Sequence, residues 1–176
     1  MFQKGDFVAC GSKGVCRIKN ITTLNMDGIP KDRLYYEMQP VLNAGSKVFT
    51  PVEQADESGT MRKLMTSDEA VRLLSSAPEE EPVWEADDRK REEQYRGIIN
   101  GNHAAGLLAL IRYVHIRQKA RALKGRRLAS MDARYLKMAE EHLYTELSIS
   151  MQVAAEEIRE YVESGIGAPQ GSIRSL

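Results

Sequence analysis

Little in this sequence is equipped for catalysis or for holding a metal. It contains two cysteines, three histidines and one tryptophan, and aromatic residues make up only 6% of its 176 positions. Cys10 and Cys16 fall in one predicted hairpin with no second Cys or His pair beside them, so they lack zinc-site spacing and read as buried thiols. His103, His115 and His142 have no metal-ligand spacing among themselves, and no HExxH, GxxxxGK, GxGxxG or GxSxG pattern occurs. Carboxylates are plentiful, but they read as solvated helix faces with no pair singled out for acid–base work. No apolar run approaches the ~18 residues that a membrane helix needs. Met1-Phe2-Gln3-Lys4 lacks the apolar stretch of a secretory signal, and Ser175-Leu176 carries no lipidation signature. The expectation is a cytoplasmic protein with no cofactor, no metal, no membrane contact and no enzymatic activity.

Net charge is missing too, with 25 Lys and Arg against 25 Asp and Glu, but the balance conceals a local asymmetry. Nine basic residues between Arg112 and Lys137 are opposed only by Asp132, and seven glutamates between Glu140 and Glu163 only by Arg159. Local charge, rather than the total, builds a binding field.

The chain changes character near residue 66. Before it, Lys4-Gly5-Asp6 precedes Phe7-Val8-Ala9, and Gly11-Ser12-Lys13-Gly14 precedes Val15-Cys16-Arg17-Ile18, which reads as two short strands separated by glycine turns. Asn25-Met26-Asp27-Gly28 is a turn signal ahead of Leu34 to Gln39, where Tyr36 and Met38 alternate with Tyr35, Glu37 and Gln39 at the period of a half-buried strand. Asn43-Ala44-Gly45-Ser46 turns the chain into a last strand, Lys47-Val48-Phe49-Thr50. Pro51 closes it, and because proline donates no ladder bond it belongs at a strand end or sheet edge. Four or five short strands over residues 1–65 predict a small SH3-like or Tudor-like β-barrel. Such a barrel suits binding, since an exposed edge strand can pair with a strand of another protein.

The second part is helical. Thr66-Ser67-Asp68-Glu69 has capping-box spacing ahead of Ala70, Leu73 and Leu74, predicting a helix to about Ser76. Pro78-Glu79-Glu80-Glu81-Pro82 reads as a stiff linker, so residues 66–82 join the barrel to a helical domain over 83–164, with a loose tail over 165–176. Helices are predicted from about Val83 to Ile99, with Trp84 in the first turn, and from Asn102 as N-cap to about Lys124. A third is capped by Ser130 with the stripe Leu136, Ala139, Leu143 and Leu147, and a fourth carries Met151, Ala155, Ile158 and Val162. In all, the fold class is α+β: a β-barrel domain followed by an all-α bundle.

The second of these helices carries one stripe through positions 107, 110, 114, 117, 121 and 124, which is apolar at Leu107, Leu110 and Val114 and cationic at Arg117, Arg121 and Lys124. Unpaired buried charge is costly, so that end is expected to project into solvent and, with Arg126 and Arg127, to offer a cluster suited to phosphates. The same residues also simply complement a helix C-terminus. Trp84 likewise has two readings: a packing residue at a helix start, or a wedge against a base step in a minor groove. Acids at 85, 87 and 88 oppose close phosphate approach there, whereas Arg89, Lys90 and Arg91 favour it.

The series Lys4-Gly5-Asp6-x-Val8, Gly14-Val15, Tyr35-Tyr36, Val48-x-x-Pro51 and Trp84-Glu85-Ala86-Asp87-Asp88-Arg89-Lys90-Arg91 resembles the CarD/CdnL family of bacterial transcription regulators over roughly residues 2 to 150. Its first half is similar to the RNA-polymerase-interacting domain of the transcription-repair coupling factor. The resemblance implies a monomer whose barrel docks on the RNA polymerase β subunit through Lys47, Val48, Phe49 and Thr50. It also implies a helical domain that meets promoter DNA, weakly and largely without sequence preference, at the upstream edge of the bubble, with Trp84 as the wedge. The chain departs from the family pattern at Phe49 and Leu24, where basic residues are expected, and in the acids that follow Trp84. With the basic cluster, the DNA-contacting set is Trp84, Arg89, Lys90, Arg117, Arg121, Lys124, Arg126 and Arg127. Two other classes stay open from the residues alone: a KOW-like RNA- or ribosome-associated factor, given Lys13, Arg17 and Lys19 in the glycine-rich hairpin, and a protein-only adaptor.

Overall fold

The computed structural model describes residues 1–25, 27–57, 61–75 and 83–165, which form two compact units. The first comprises Met1–Leu64 together with Asn100–Asn102, and the second Met65–Ile99 and His103 onward.

In the first unit five strands, β1 (Phe7–Ala9), β2 (Val15–Thr23), β3 (Leu34–Pro40), β4 (Val48–Pro51) and β5 (Arg62–Lys63), pair in the order β4-β3-β2-β1-β5. All four pairings are antiparallel. Glycine makes the first connections possible: Gly5 (φ 99) and Gly14 (φ 66) both occupy left-handed backbone that a β-carbon disfavours. Between them Gly11–Lys13 form a single 3-10 turn. The alternation read from the sequence holds from Tyr36 onward, with Tyr36 and Met38 buried beside Val8, Cys16 and Ile18 and with Glu37 and Gln39 only half-buried, but Tyr35, expected on the Glu37 side, is buried as well. Phe2 covers one end of this core, its ring edge-on to Tyr36 and its amide donating to the Tyr36 hydroxyl at 3.0 Å. Cys10 and Cys16 are free and buried, and the Cys10 thiol is pushed up by its hydrogen bond with Cys16 and by burial.

The small β-barrel expected from the sequence takes the form of a curled half-barrel. Strand β1 takes β5 as its second neighbour, a two-residue strand that the Arg-Lys sequence does not announce, so β4 remains an edge. A short helix, α1 (Val52–Glu57), follows β4 and buries Ala55 in the same core. The sequence does not announce it either, because six residues carry too little periodicity to register.

The second unit contains α2 (Ser67–Ser75), α3 (Asp88–Gly101), α4 (Ala104–Ala122), α5 (Ser130–Met151) and α6 (Ala155–Gly165). Helix α5 is central and packs against α2, α4 and α6. Its predicted stripe of Leu136, Ala139, Leu143 and Leu147 is buried, as are Leu107, Leu110 and Val114 of α4 and Ile158 and Val162 of α6. The capping box forms as read: Thr66 N donates to Glu69 Oε2 at 2.7 Å, and Glu69 N to Thr66 Oγ1 at 3.3 Å. Helix α2 ends at Ser75, and its Ala70 and Leu74 join the helical core. The proline-glutamate stretch of residues 78–82 and the tail beyond Gly165 lie outside the described residues.

Helix boundaries differ from expectation where a side chain has a stronger partner elsewhere. Asn102 does not cap α4: it adopts φ 58 and donates from Nδ2 to the carbonyl of Ala9 at 2.8 Å, leaving His103 at the N-cap without a side-chain cap bond. Ser130 is the first residue of α5 rather than its cap, and Met151 closes α5 instead of opening α6, because Gln152 turns left-handed at φ 57. Three carboxylates assigned to solvated faces, Asp132, Glu140 and Glu146, are buried. Each meets a donor: Glu146 Oε1, for example, accepts from the Met65 amide at 3.0 Å. Among the described residues no helix is long and apolar enough to cross a membrane.

Replacing Thr66 with alanine removes one half of the capping box, and we expect a loss of about 1 kcal/mol in the stability of the helical unit. Urea unfolding followed through Trp84, the single tryptophan, checks this.

Candidate functional site

Two surfaces carry the residues singled out from the sequence, one in each unit. The first is the free side of β4. Its inner side pairs with β3 through Tyr35↔Pro51, Tyr36↔Thr50, Glu37↔Phe49 and Met38↔Val48, and no described strand covers its outer side. Phe49, paired with Glu37 across the strands, is 40% exposed, while Val48 and Thr50 are half-buried. Lys47 lies one residue before the strand and its Nζ bonds Glu37 Oε1 at 2.6 Å, which fixes the entry of β4. The edge therefore offers unpaired main-chain groups and one large apolar side chain, the chemistry by which an added strand gains affinity and register.

The second surface is built on α3, α4 and the loop joining α4 to α5. Trp84 does not lie in the first turn of α3; it precedes the helix in an extended segment held by α3 side chains. Gln94 clasps that segment, accepting from Glu85 N at 3.0 Å and donating to the Val83 carbonyl at 2.9 Å. Arg91 Nη1 donates to the carbonyls of Glu85 at 3.2 Å and Ala86 at 3.1 Å. Asp87 caps α3 by accepting from Lys90 N at 3.0 Å, so this acid serves the helix start. The indole is half-buried, stacked on Tyr113 at 4.4 Å between centroids and edge-on to Tyr95 at 5.7 Å. It is thus a packing residue with a surface remaining to solvent, in an aromatic arrangement that holds its orientation.

Beneath it lies an ionic cluster that the sequence does not announce. Asp132 is fully buried and accepts from Arg117 Nε at 2.9 Å, Tyr95 Oη at 3.1 Å and Arg91 Nε at 3.4 Å. Arg91, also at 0% exposure, pairs with Asp88 through Nη2. That bond is the main reason the Asp88 carboxyl is held below its usual range, while burial first and the Asp132 charge second push the Tyr95 phenol upward. Arg91, read as favouring phosphate approach, is consequently consumed inside the unit. No spacing rule could have found the cluster, since its members are 15, 37 and 41 residues apart.

The remaining cations fall into two groups. Arg117 is partly exposed but committed to Asp132, and Arg121 is half-buried with Nε donating to the Arg127 carbonyl at 2.7 Å. That bond, with Arg126 N donating to the Arg121 carbonyl at 2.9 Å and Gly125 at φ 65, ties the loop back on α4, so the helix end curls rather than projecting straight. Arg89, Lys90, Lys124, Arg126 and Arg127 are exposed; Arg89 reaches Glu93 only at 4.0 Å, a contact of small energetic weight. None of Arg117, Arg121 and Arg126 has a carboxylate of α6 as a partner among the bonds described.

Residues 2–65 match the model of the CarD-like/TRCF RID domain. Domains of this family interact with the β subunit of RNA polymerase. No curated protein matches the chain.

Removing the Asp132 carboxylate strands two guanidinium groups, one of them wholly buried. We expect Asp132→Ala to cost about 3–5 kcal/mol, the scale for breaking a buried ion pair from one side. Loss of the near-ultraviolet signal of Trp84 together with an earlier urea midpoint is the measurement.

Proposed function

Starting from an RID-type domain, we propose that the chain is a transcription regulator that docks on the RNA polymerase β subunit through the β4 edge (Lys47, Val48, Phe49, Thr50). Its helical unit then meets promoter DNA at the upstream edge of the bubble and stabilises the open complex. The observation that carries the reading is the unpaired outer edge of β4, with Phe49 exposed upon it, inside a match to this domain family. Phe49 replaces the basic residue expected on that strand, so docking here draws on an apolar contact and main-chain pairing rather than on an ion pair.

Docking supplies proximity. Held at the promoter by the RID-type domain, the helical unit acts at a high effective concentration, and contacts too weak to bind free DNA then suffice. Of the DNA-contacting set, Arg89, Lys90, Lys124, Arg126 and Arg127 are the exposed cations that phosphates would meet. Arg117 and Arg121 serve chiefly by shaping the surface, through Asp132 and the Arg127 carbonyl. Trp84, fixed by Tyr113, presents a preset edge to a base step; unstacking costs a few kcal/mol that a rigid wedge offsets better than a mobile one.

Thr50→Pro removes a backbone donor from β4, and together with Phe49→Asp it is expected to abolish capture of the protein by RNA polymerase while leaving the helical unit folded. Retained capture would remove β4 from the interface, and ribosome co-sedimentation without polymerase would replace the reading altogether. Trp84→Ala is expected to keep polymerase binding yet shorten the open-complex lifetime, with Trp84→Phe, which keeps a ring against Tyr113, intermediate; an unchanged lifetime with bound protein would overturn the wedge. The double change Arg126→Glu with Arg127→Glu should lower the slope of log affinity against log salt by about 2, one for each phosphate that is no longer neutralised.

A further inference from the structure

The helical unit contains a second polar cluster that the DNA-facing surface does not use. His115 of α4, Glu140 of α5 and Glu163 of α6 bring an imidazole nitrogen and two carboxylate oxygens within 4.8 Å of one another. Glu140 is the fixed member: it is buried, its Oε1 lies 2.9 Å from His115 Nε2, and its Oε2 accepts from Arg159 Nη1 at 3.0 Å. Beside it on α5, the hydroxyl of Tyr144 is buried without a hydrogen-bond partner, although the residue is only 3% exposed. The Arg159 guanidinium lies over the Tyr144 ring at 5.5 Å. The same Arg159 bonds Glu140, and Tyr144 follows Glu140 by one turn of α5, so the tyrosine borders the cluster. A buried polar group left unpaired is uncommon and costly, and it calls for a partner.

We propose that His115, Glu140 and Glu163 form a binding site for a zinc-type divalent cation, with Tyr144 beside it. One nitrogen and two oxygens suit a borderline ion such as Zn2+, whereas Mg2+ prefers an all-oxygen octahedron that keeps its waters. The geometry needs little change. Ligand atoms of a tetrahedral zinc, each about 2.0–2.1 Å from the metal, stand about 3.3 Å apart, so His115 Nε2 and Glu140 Oε1 need separate only slightly from 2.9 Å. The neutral imidazole would bind the ion through its Nε2 lone pair, with its single proton on Nδ1. Glu163, exposed on the last helix, closes on it by a side-chain rotation. Arg159 on the far oxygen of Glu140 orients that carboxylate as an outer-sphere partner does in established metal sites. Two carboxylates, a neutral imidazole and Zn2+ sum to zero charge, which suits a site whose central ligand is buried. The fourth position is left for water or for an outside ligand. Because the three ligands come from three helices, the ion also fastens α6 to the rest of the unit.

The test is titration of chelator-stripped full-length protein with zinc sulfate by calorimetry and thermal unfolding, with magnesium chloride in parallel. One zinc is expected to bind per chain and to raise Tm by several degrees, with no effect of magnesium. Glu163→Gln removes a ligand from an exposed position, so it should leave the metal-free Tm unchanged while weakening zinc binding at least about tenfold. His115→Gln should do the same to binding. Cys10→Ser with Cys16→Ser separates this site from the two thiols, the other zinc-seeking groups in the chain, and should leave the affinity untouched. Absence of zinc binding, binding equal in Glu163→Gln and wild type, or binding lost only in the cysteine variant would each overturn the proposal.

Discussion

The second unit depends on one constraint: a carboxylate with no exposure to water must be shared by two guanidinium groups and a phenol. Asp132 sits at the start of α5, Arg91 and Tyr95 on α3, and Arg117 near the end of α4, so its three bonds join three helices at one point. Desolvating such a group costs several kcal/mol, and the cost is offset only when the remaining lone pairs and donors are satisfied together. Arg91 meets that demand with further bonds to Asp88 and to the carbonyls of Glu85 and Ala86. Those carbonyls belong to the segment that carries Trp84, so the buried charge and the position of the indole are one problem with one solution. A hydrophobic replacement could match its stability, but it would not fix where the tryptophan stands.

The same economy explains why a segment so rich in basic residues yields a smaller set of exposed cations. Arg117 and Arg121 are drawn inward, one to neutralise Asp132 and one to close the loop after α4. What remains at the surface are Arg89, Lys90, Lys124, Arg126 and Arg127, exposed side chains near the start of α3 and in the turn after α4. A modest cationic surface fits a protein of zero net charge, whose summed field offers little long-range electrostatic steering.

The first unit solves a different problem. A sheet edge is a hazard for aggregation, and proteins blunt such edges with charge, proline or short strands. Strand β4 has four residues, ends in Pro51 and begins beside the Lys47–Glu37 pair, three features that blunt an edge. Strand β5, with only two residues, protects the opposite edge by brevity.

The sequence by itself determined whatever depends on neighbours within a few positions. These are the alternation of Tyr36 and Met38, the capping box at Thr66 and Glu69, the stripe of α5 and the family resemblance of the first part, because period and turn chemistry are local properties of the chain. Only the tertiary structure decided which charges are buried, how far β1 is shared with β5, whether Trp84 lies on a helix or on Tyr113, and that His115 meets Glu140 across 25 residues. Each of these is a contact between elements remote in sequence. Their residue types are common on solvated helix faces, so nothing in the local pattern distinguishes a carboxylate that will be desolvated from one that will not, until the packing of helices has chosen its partners.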